Sequence, residues 1–429
     1  MHELTELIKK DMVPALGVTE PGAIAFAVAK AKEYVGGELK HINVKLNSGM
    51  FKNAFTCGIP NSKKFGNVFA AALGYVAGDA SLGLMSLANI TEDDNVNAEK
   101  LVKENRISVS MSEITSTIFI EVSIETNKDQ VILTIRNSHT NITKVVLNGK
   151  VLLETDDEKK LKIENVKEEK KLIHKYTLKE ILDYVNTVSL SEIEFVKEAY
   201  KVNLELFDEA LKSDRTTFAK RLFELNGNVV ISDSERDTAS LLCNAAIEAR
   251  VIGLDKPAMS ITGSGAHGII ATMPLYAVYK INNLTEDKLY RATMLSYLIC
   301  TYIKEYSGKL SAFCGCGIAA GTGMAIAVTY LKGDGLKEME YTLNNMASSI
   351  TGMICDGGNH GCTMKGVAAC DTAFRSVEFA MKGVHIDNIH GINGLTPEDT
   401  MKNMGLIAVP GMVETEKTIV EIFEGKQKK

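Results

Sequence analysis

The chain has 429 residues, 45% of them hydrophobic and 24% charged, with a formal charge of −6. This is the composition of an ordinary soluble globular protein, long enough for two or three domains at about 150 residues each. The acidic balance argues against a nucleic-acid partner, and no apolar run reaches the roughly 20 residues that span a bilayer.

Met1-His2-Glu3-Leu4 lacks the basic-then-apolar order of a signal peptide, so a cytoplasmic location is expected. Residues 3–12 predict a short helix. Thr19 is placed to cap the next helix, with Glu20 and Pro21 in its first turn, where an acid and a proline are favourable. That helix, Ala23 to about Tyr34, is alanine-rich and nearly apolar all round, which predicts burial. His41 to Leu46 alternates polar and apolar and predicts a strand. Asn47 to Asn53 reads as a polar, glycine-bearing loop. Cys57-Gly58-Ile59-Pro60-Asn61 and an alanine-rich helix near 66–78 follow.

Residues 106–153 carry β-branched, mostly alternating runs: Ile107 to Met111, Thr117 to Ile124, Gln130 to Ile135 and Lys144 to Leu147. Asn148-Gly149 is a strong hairpin signal leading into Lys150 to Leu153, so an antiparallel meander is expected. The lysine- and glutamate-rich run 155–171 predicts solvated strand ends or a mobile edge. Beyond Thr177 the pattern is helical. Thr177 with Glu180 and Ser189 with Glu192 predict capping boxes. Helices are expected over 178–186, 190–212, 215–225, 234–253, 285–306, 317–332, 335–353, 366–382 and 397–404. The fold class that follows is α+β: a mixed α/β domain with an antiparallel sheet over 1–190, and an all-helical domain over 191–429.

Eight cysteines in a cytoplasmic chain should be reduced, so clusters of them read as metal or catalytic sites rather than disulfides. Cys314 and Cys316 flank one glycine. Cys355 and Cys362 bracket Asp356-Gly357-Gly358-Asn359-His360-Gly361. Each glycine would cost a helix about 1 kcal/mol against alanine, so this stretch reads as a loop. Thiolates bind soft metals and iron–sulfur clusters, but the spacing is neither that of a zinc ribbon nor that of a ferredoxin. From spacing alone the four thiols are either metal ligands or buried packing residues, and both readings stand. Cys243, Cys300 and Cys370 lie in helical stretches and read as core.

Thr262-Gly263-Ser264-Gly265-Ala266-His267-Gly268 is either a plain connection or backbone approaching a ligand such as a carboxylate. Thr19 and Ser48-x₄-Asn53 read either as caps and turn residues or as site residues. His139, between two strands, reads as surface decoration unless the fold carries it inward.

The ordered set Gly17-x-Thr19-Glu20-Pro21, Lys52-Asn53-x₃-Cys57-Gly58-Ile59-Pro60, His139-Thr140-Asn141-Ile142, Gly263-Ser264-Gly265-x-x-Gly268, Cys314-Gly315-Cys316 and Cys355-Asp356-Gly357-x₃-Gly361-Cys362 resembles the iron–sulfur L-cysteine desulfidases. Those are related to the iron–sulfur L-serine dehydratases through the helical, cysteine-bearing part. The resemblance covers nearly the whole chain. It implies a [4Fe–4S] cluster held by Cys355, Cys362 and one of Cys314 or Cys316. Cys314 is preferred because it precedes the predicted helix. The implied reaction is β-elimination from a small L-amino acid, giving pyruvate and ammonia, with sulfide when the substrate is L-cysteine. A metal at the leaving atom and a nearby base lower the two costs of such a step.

The chain departs from the desulfidase pattern near the expected site. A cysteine that looks like the catalytic base in that family is Val18 here, and the segment that holds Cys57 here typically holds valine there. Asn359-His360 replaces a lysine-bearing loop. The expected catalytic residues are therefore Cys57 and, as second candidate, His267. Thr19, Glu20, Ser48, Asn53, His139 and Ser264 are expected to bind substrate in a cleft between the two domains. The alternatives are a cluster-binding paralogue without turnover and a hydro-lyase on another substrate. A homodimer is expected because most such assemblies are symmetric.

Overall fold

The computed structural model describes residues 1–155, 171–308, 310–333 and 335–427. Except for its two end residues, the charged run expected over 155–171 lies outside the described residues. In chain order the first part comprises α1 (Glu3–Asp11), β1 (Val13–Leu16), α2 (Thr19–Lys32), β2 (Leu39–Leu46), α3 (Ser48–Ala54), α4 (Asn67–Ala77) and α5 (Glu92–Lys103). The strands β3 (Ile107–Met111), β4 (Phe119–Thr126), β5 (Gln130–Arg136), β6 (Ile142–Leu147) and β7 (Lys150–Glu154) follow. The fold class is α+β, as the pattern of strand runs followed by helical runs predicts.

The sheet order is β3-β2-β4-β5-β6-β7. Strands β4 to β7 form the expected antiparallel meander. Asn148 and Gly149 turn the last hairpin with φ of 50° and 80°, the backbone that an Asn-Gly pair favours. One strand departs from the meander. β3 pairs with β2 in parallel, which the long helical crossover through α3, α4 and α5 makes possible. β2 is thereby inserted between β3 and β4.

Helix α2 is buried on every side and packs on the inner faces of β4 and β5, where Ile120, Val122, Ile124, Val131, Leu133 and Ile135 are also buried. Burial on all faces is what its uniformly apolar sequence predicts. Two local expectations are corrected. Thr19 is the first residue of α2 and not its cap; Val18 holds the cap position without a side-chain bond. The stretch Asn47 to Asn53, read as loop, instead enters helix α3 at Ser48, because Met50, Phe51 and Ala54 supply a buried face that outweighs the glycine.

The second part holds α6 (Leu178–Thr187), α7 (Leu190–Ile193), α8 (Lys197–Lys212), α9 (Phe218–Leu225), α10 (Glu235–Val251), β8 (Pro257–Ser260), α11 (Gly265–Ile281), α12 (Glu286–Ser307), α13 (Gly321–Leu331), α14 (Leu336–Ile350), α15 (Gly361–Ala380), α16 (Pro397–Ala408) and α17 (Val413–Gln427). The Thr177–Glu180 capping box forms. The one expected at Ser189 does not: Ser189 faces Ser191 at 3.3 Å, and the Glu192 carboxylate accepts the His2 N–H at 3.1 Å. The helix expected over 190–212 is broken by a 3₁₀ turn at Glu194–Val196. Cys243, Cys300 and Cys370 are fully buried, as expected of core residues.

The chain ends tie the parts together. β1 pairs antiparallel with β8, Val13 opposite Ser260 and Leu16 opposite Pro257. Leu4 and Ile8 of α1 share a core with α11 and α12, and α17 packs on α3. Among the described residues, no helix is long and apolar enough to cross a membrane.

Candidate active site and metal centre

Two loops bring the cysteines together. Phe313 and Ile354 form an isolated antiparallel bridge. Beside it the Cys314 N–H donates to the Met353 carbonyl at 3.0 Å, and the Cys355 N–H to the Ala312 carbonyl at 2.6 Å. Cys314 and Cys355 thereby emerge side by side although 41 positions separate them. Cys316 opens a single π-helical turn, Cys316–Ala320, that leads into α13. Cys362 lies at the start of α15, its thiol 3.4 Å from the Gly357 carbonyl. Gly357 has φ of 97°, and a Cβ there would lie 2.5 Å from the Lys52 carbonyl oxygen. Only glycine lets this loop lie against α3.

All eight cysteines are free. A hydrogen bond from Cys316 holds the Cys314 thiol down at about 7, outweighing its burial. The same bond and burial push Cys316 up, and burial pushes Cys362 up to about 12. Among the described residues, no group of three His, Cys, Asp or Glu side chains is placed to hold a single metal ion. A cluster of several irons spaces its thiolates more widely than one ion does. The donor chemistry of four free thiols on two abutting loops fits such a cluster.

Beside the thiols is a small cavity of about 60 Å³, lined by Glu20, Asn53, His139, Thr262, Gly263, Ser264, His267, Lys304, Phe313, Gly315, Cys316 and Cys355, among others. Of the residues expected to bind substrate, it gathers Glu20, Asn53, His139 and Ser264. Glu20 is in the first turn of α2. Asn53 Nδ2 donates to its Oε1 at 3.0 Å, and His139 Nε2 stands 3.7 Å from the same oxygen. Burial alone would raise the Glu20 carboxyl; the His139 ring, Asn53 and the buried Arg250 guanidinium overcome it and hold the group at about 2. The fold has carried His139 inward, to 7% exposure.

His267 sits in the first turn of α11, with Nδ1 2.5 Å from Thr262 Oγ1. Burial, followed by Lys304 and Arg250, drives its pKa well below the ordinary histidine value. The ring is therefore neutral, which a helix N-terminus also favours. A Cβ on Gly315 would come within 2.6 Å of His267 Nε2, so the glycine between Cys314 and Cys316 leaves that nitrogen its space.

Thr19, Ser48, Cys57, Cys314 and Cys362 are not on the cavity wall. Thr19 Oγ1 donates to the Glu20 carboxylate at 3.1 Å. Ser48 opens α3 with its hydroxyl 3.5 Å from the Thr115 carbonyl. Cys57 is fully buried, its thiol 3.6 Å from the Ala54 carbonyl, and burial with the nearby Glu20 charge pushes it far above the ordinary thiol value. Val18 is buried against the cysteine loop: a Cβ on Gly358 would meet its Cγ1 at 2.9 Å. Lys304 and Arg250 were not singled out by the sequence, and Thr262 was seen only as the start of the glycine-rich stretch, with no role of its own. Lys304 and Arg250 lie in long helices with no local signal, and only packing shows where they point.

The family model described as "Serine dehydratase alpha chain" matches residues 84–421. Among curated proteins, a UPF0597 protein of Clostridium botulinum strain Langeland is 44% identical over 424 residues, covering 98% of each chain. A UPF0597 protein of Caldanaerobacter subterraneus subsp. tengcongensis is 35% identical over 428 residues, 99% of this chain and 98% of that one. One of Alkaliphilus oremlandii is 31% identical over 426 residues. The relation to the serine dehydratase alpha chain expected from the ordered motifs is borne out. The chain belongs to the serine dehydratase alpha chain family.

Proposed function

We propose that the protein is an iron–sulfur-dependent lyase that eliminates the β-substituent of a small L-amino acid. The observation that carries this reading is that an ionised Glu20 and a neutral His267 share one small cavity with Cys316 and Cys355. Cys314, Cys355 and Cys362 would hold a [4Fe–4S] cluster, whose chemistry when bound is that of a Lewis acid at the leaving atom.

This chain's own residues supply the rest. The Glu20 carboxylate, anchored by Asn53 and His139, is the counter-ion for an α-ammonium group. Lys304 and the N-terminus of α11 offer positive charge and N–H groups to a carboxylate. His267 Nε2 accepts the α-proton; its low pKa keeps it unprotonated and ready. Elimination leaves aminoacrylate, which tautomerises and hydrolyses to pyruvate and ammonia. Cys57 does not serve as base in this scheme, because its thiol is buried away from the cavity. A division of the chain near residue 190, a cytoplasmic location and a homodimeric state belong to the same proposal.

The test is anaerobic reconstitution with iron and sulfide, followed by assay of pyruvate from L-serine and of pyruvate and sulfide from L-cysteine. Product from either supports the reading, with His267→Gln abolishing it. No product from a preparation that has taken up iron would overturn it. That outcome would favour a cluster-binding protein without turnover, the reading that Val18 motivates.

A further inference from the structure

Among the described residues, seven other than glycine have positive φ. Six are asparagines: Asn61, Asn105, Asn137, Asn148, Asn228 and Asn283. The seventh is Thr262. Asparagine tolerates this region, whereas a β-branched side chain is strained there. Thr262 and Gly263, with φ of 51° and 76°, form the two-residue turn between β8 and α11. The turn is closed by the Ser264 N–H on the Ile261 carbonyl at 3.1 Å and the Ile261 N–H on the Ser264 carbonyl at 3.3 Å. Such a turn favours Asn-Gly. At this one position the chain abandons the residue it uses elsewhere, and strain of that kind gathers at functional sites.

What threonine supplies is a hydroxyl. The Thr262 O–H donates to the Ile261 carbonyl at 2.8 Å, and the same oxygen lies 2.5 Å from His267 Nδ1. The Thr262 N–H donates to the Asp11 carboxylate at 2.5 Å, which pins the turn. A carbonyl oxygen can only accept; with the hydroxyl proton given to it, Oγ1 faces the ring as an acceptor. The imidazole proton then sits on Nδ1, and Nε2, the nitrogen beside Gly315, carries the lone pair.

We propose that Thr262 is a positioning residue that fixes His267 in the Nδ1–H tautomer and so turns a bare Nε2 into the cavity. The tautomer follows from hydrogen bonding alone. Its use in proton abstraction rests on the lyase reading above.

The test uses the full chain labelled with ¹⁵N-histidine, the His267 signals being identified by their loss in His267→Gln. In the wild type, Nδ1 should show the shift of a protonated ring nitrogen and Nε2 that of an unprotonated one. Thr262→Ser should keep that pattern. Thr262→Gly fits the turn without strain but lacks the hydroxyl, and should give a mixture of tautomers. With L-serine and reconstituted protein, Thr262→Gly should lower kcat about tenfold or more with KM little changed, while Thr262→Ser restores it. A protonated Nε2 in the wild type, or an unchanged pattern in Thr262→Gly, would overturn the proposal whatever the enzyme does. The expected tautomers without turnover on either L-serine or L-cysteine would instead sink the lyase reading and leave the assignment of the ring intact.

Discussion

Lys52 and Glu416 meet 2.6 Å apart although 364 positions separate them, and both side chains are withdrawn from solvent. Lys52 Nζ also donates to the Ser311 carbonyl at 3.1 Å. The backbone carbonyl of Lys52 is the atom that excludes a side chain at Gly357. One residue of α3 therefore touches the last helix, the approach to Cys314 and the loop between Cys355 and Cys362. Removing one partner of a buried pair strands the other charge. Glu416→Ala should therefore lower stability by about 3–5 kcal/mol, whereas a double replacement of Lys52 by Met and Glu416 by Leu should lose less. Urea denaturation of the wild type and the two variants checks this; equal losses for the single and double changes would refute it.

Glu20 gives a pH signature. Its folded-state value, about 2, lies below the 4.5 of an ordinary glutamate. A depressed carboxyl stabilises the fold above the unfolded value, and that contribution fades as pH falls from 4.5 towards 2. It amounts to about 3 kcal/mol for a shift of this size. Between pH 6 and pH 3 the wild type should lose more stability than Glu20→Gln. Parallel losses in chemical denaturation would show that the carboxylate is not held as described.

The cysteines should separate by iron content. After anaerobic reconstitution, Cys355→Ser, Cys362→Ser and Cys314→Ser should each bind little iron, while Cys316→Ser retains most of it. Iron and acid-labile sulfide analysis reads the outcome. Retention by Cys314→Ser with loss by Cys316→Ser would exchange the two roles.

Cys57 should prove structural. It is fully buried and bonded to the Ala54 carbonyl, so Cys57→Ala should cost on the order of 1 kcal/mol of stability. Turnover should stay within a few-fold of wild type. A fall of a hundredfold, the scale of losing a general base, would return the role to this thiol.

Much of the fold was legible in the chain. The buried helix α2, the meander with its Asn148-Gly149 turn and the Thr177–Glu180 capping box all depend on residues close in sequence. The errors were also local, and each has a distant cause. Ser48 to Ala54 became helix because a core formed around Met50 and Phe51. β3 left the meander because β2, some sixty residues earlier, was there to pair with it. The cap expected at Ser189 failed because the chain's own N-terminus takes Glu192.

The site divides in the same way. Residue types and their order by themselves determined that thiols, glycine loops and polar side chains of one family would occur, because chemistry and backbone freedom belong to individual residues. Tertiary structure alone decided which of them meet. It took the two-residue bridge at Phe313 and Ile354 to set Cys314 beside Cys355, and the packing of α2 on α3 to put Asn53 against Glu20. Burial withdrew Cys57 from the cavity, and Lys304 and Thr262 were brought to it by α12 and by the turn after β8. Electrostatic energies depend on distance and on exclusion of water, and both are set by segments far apart in the chain.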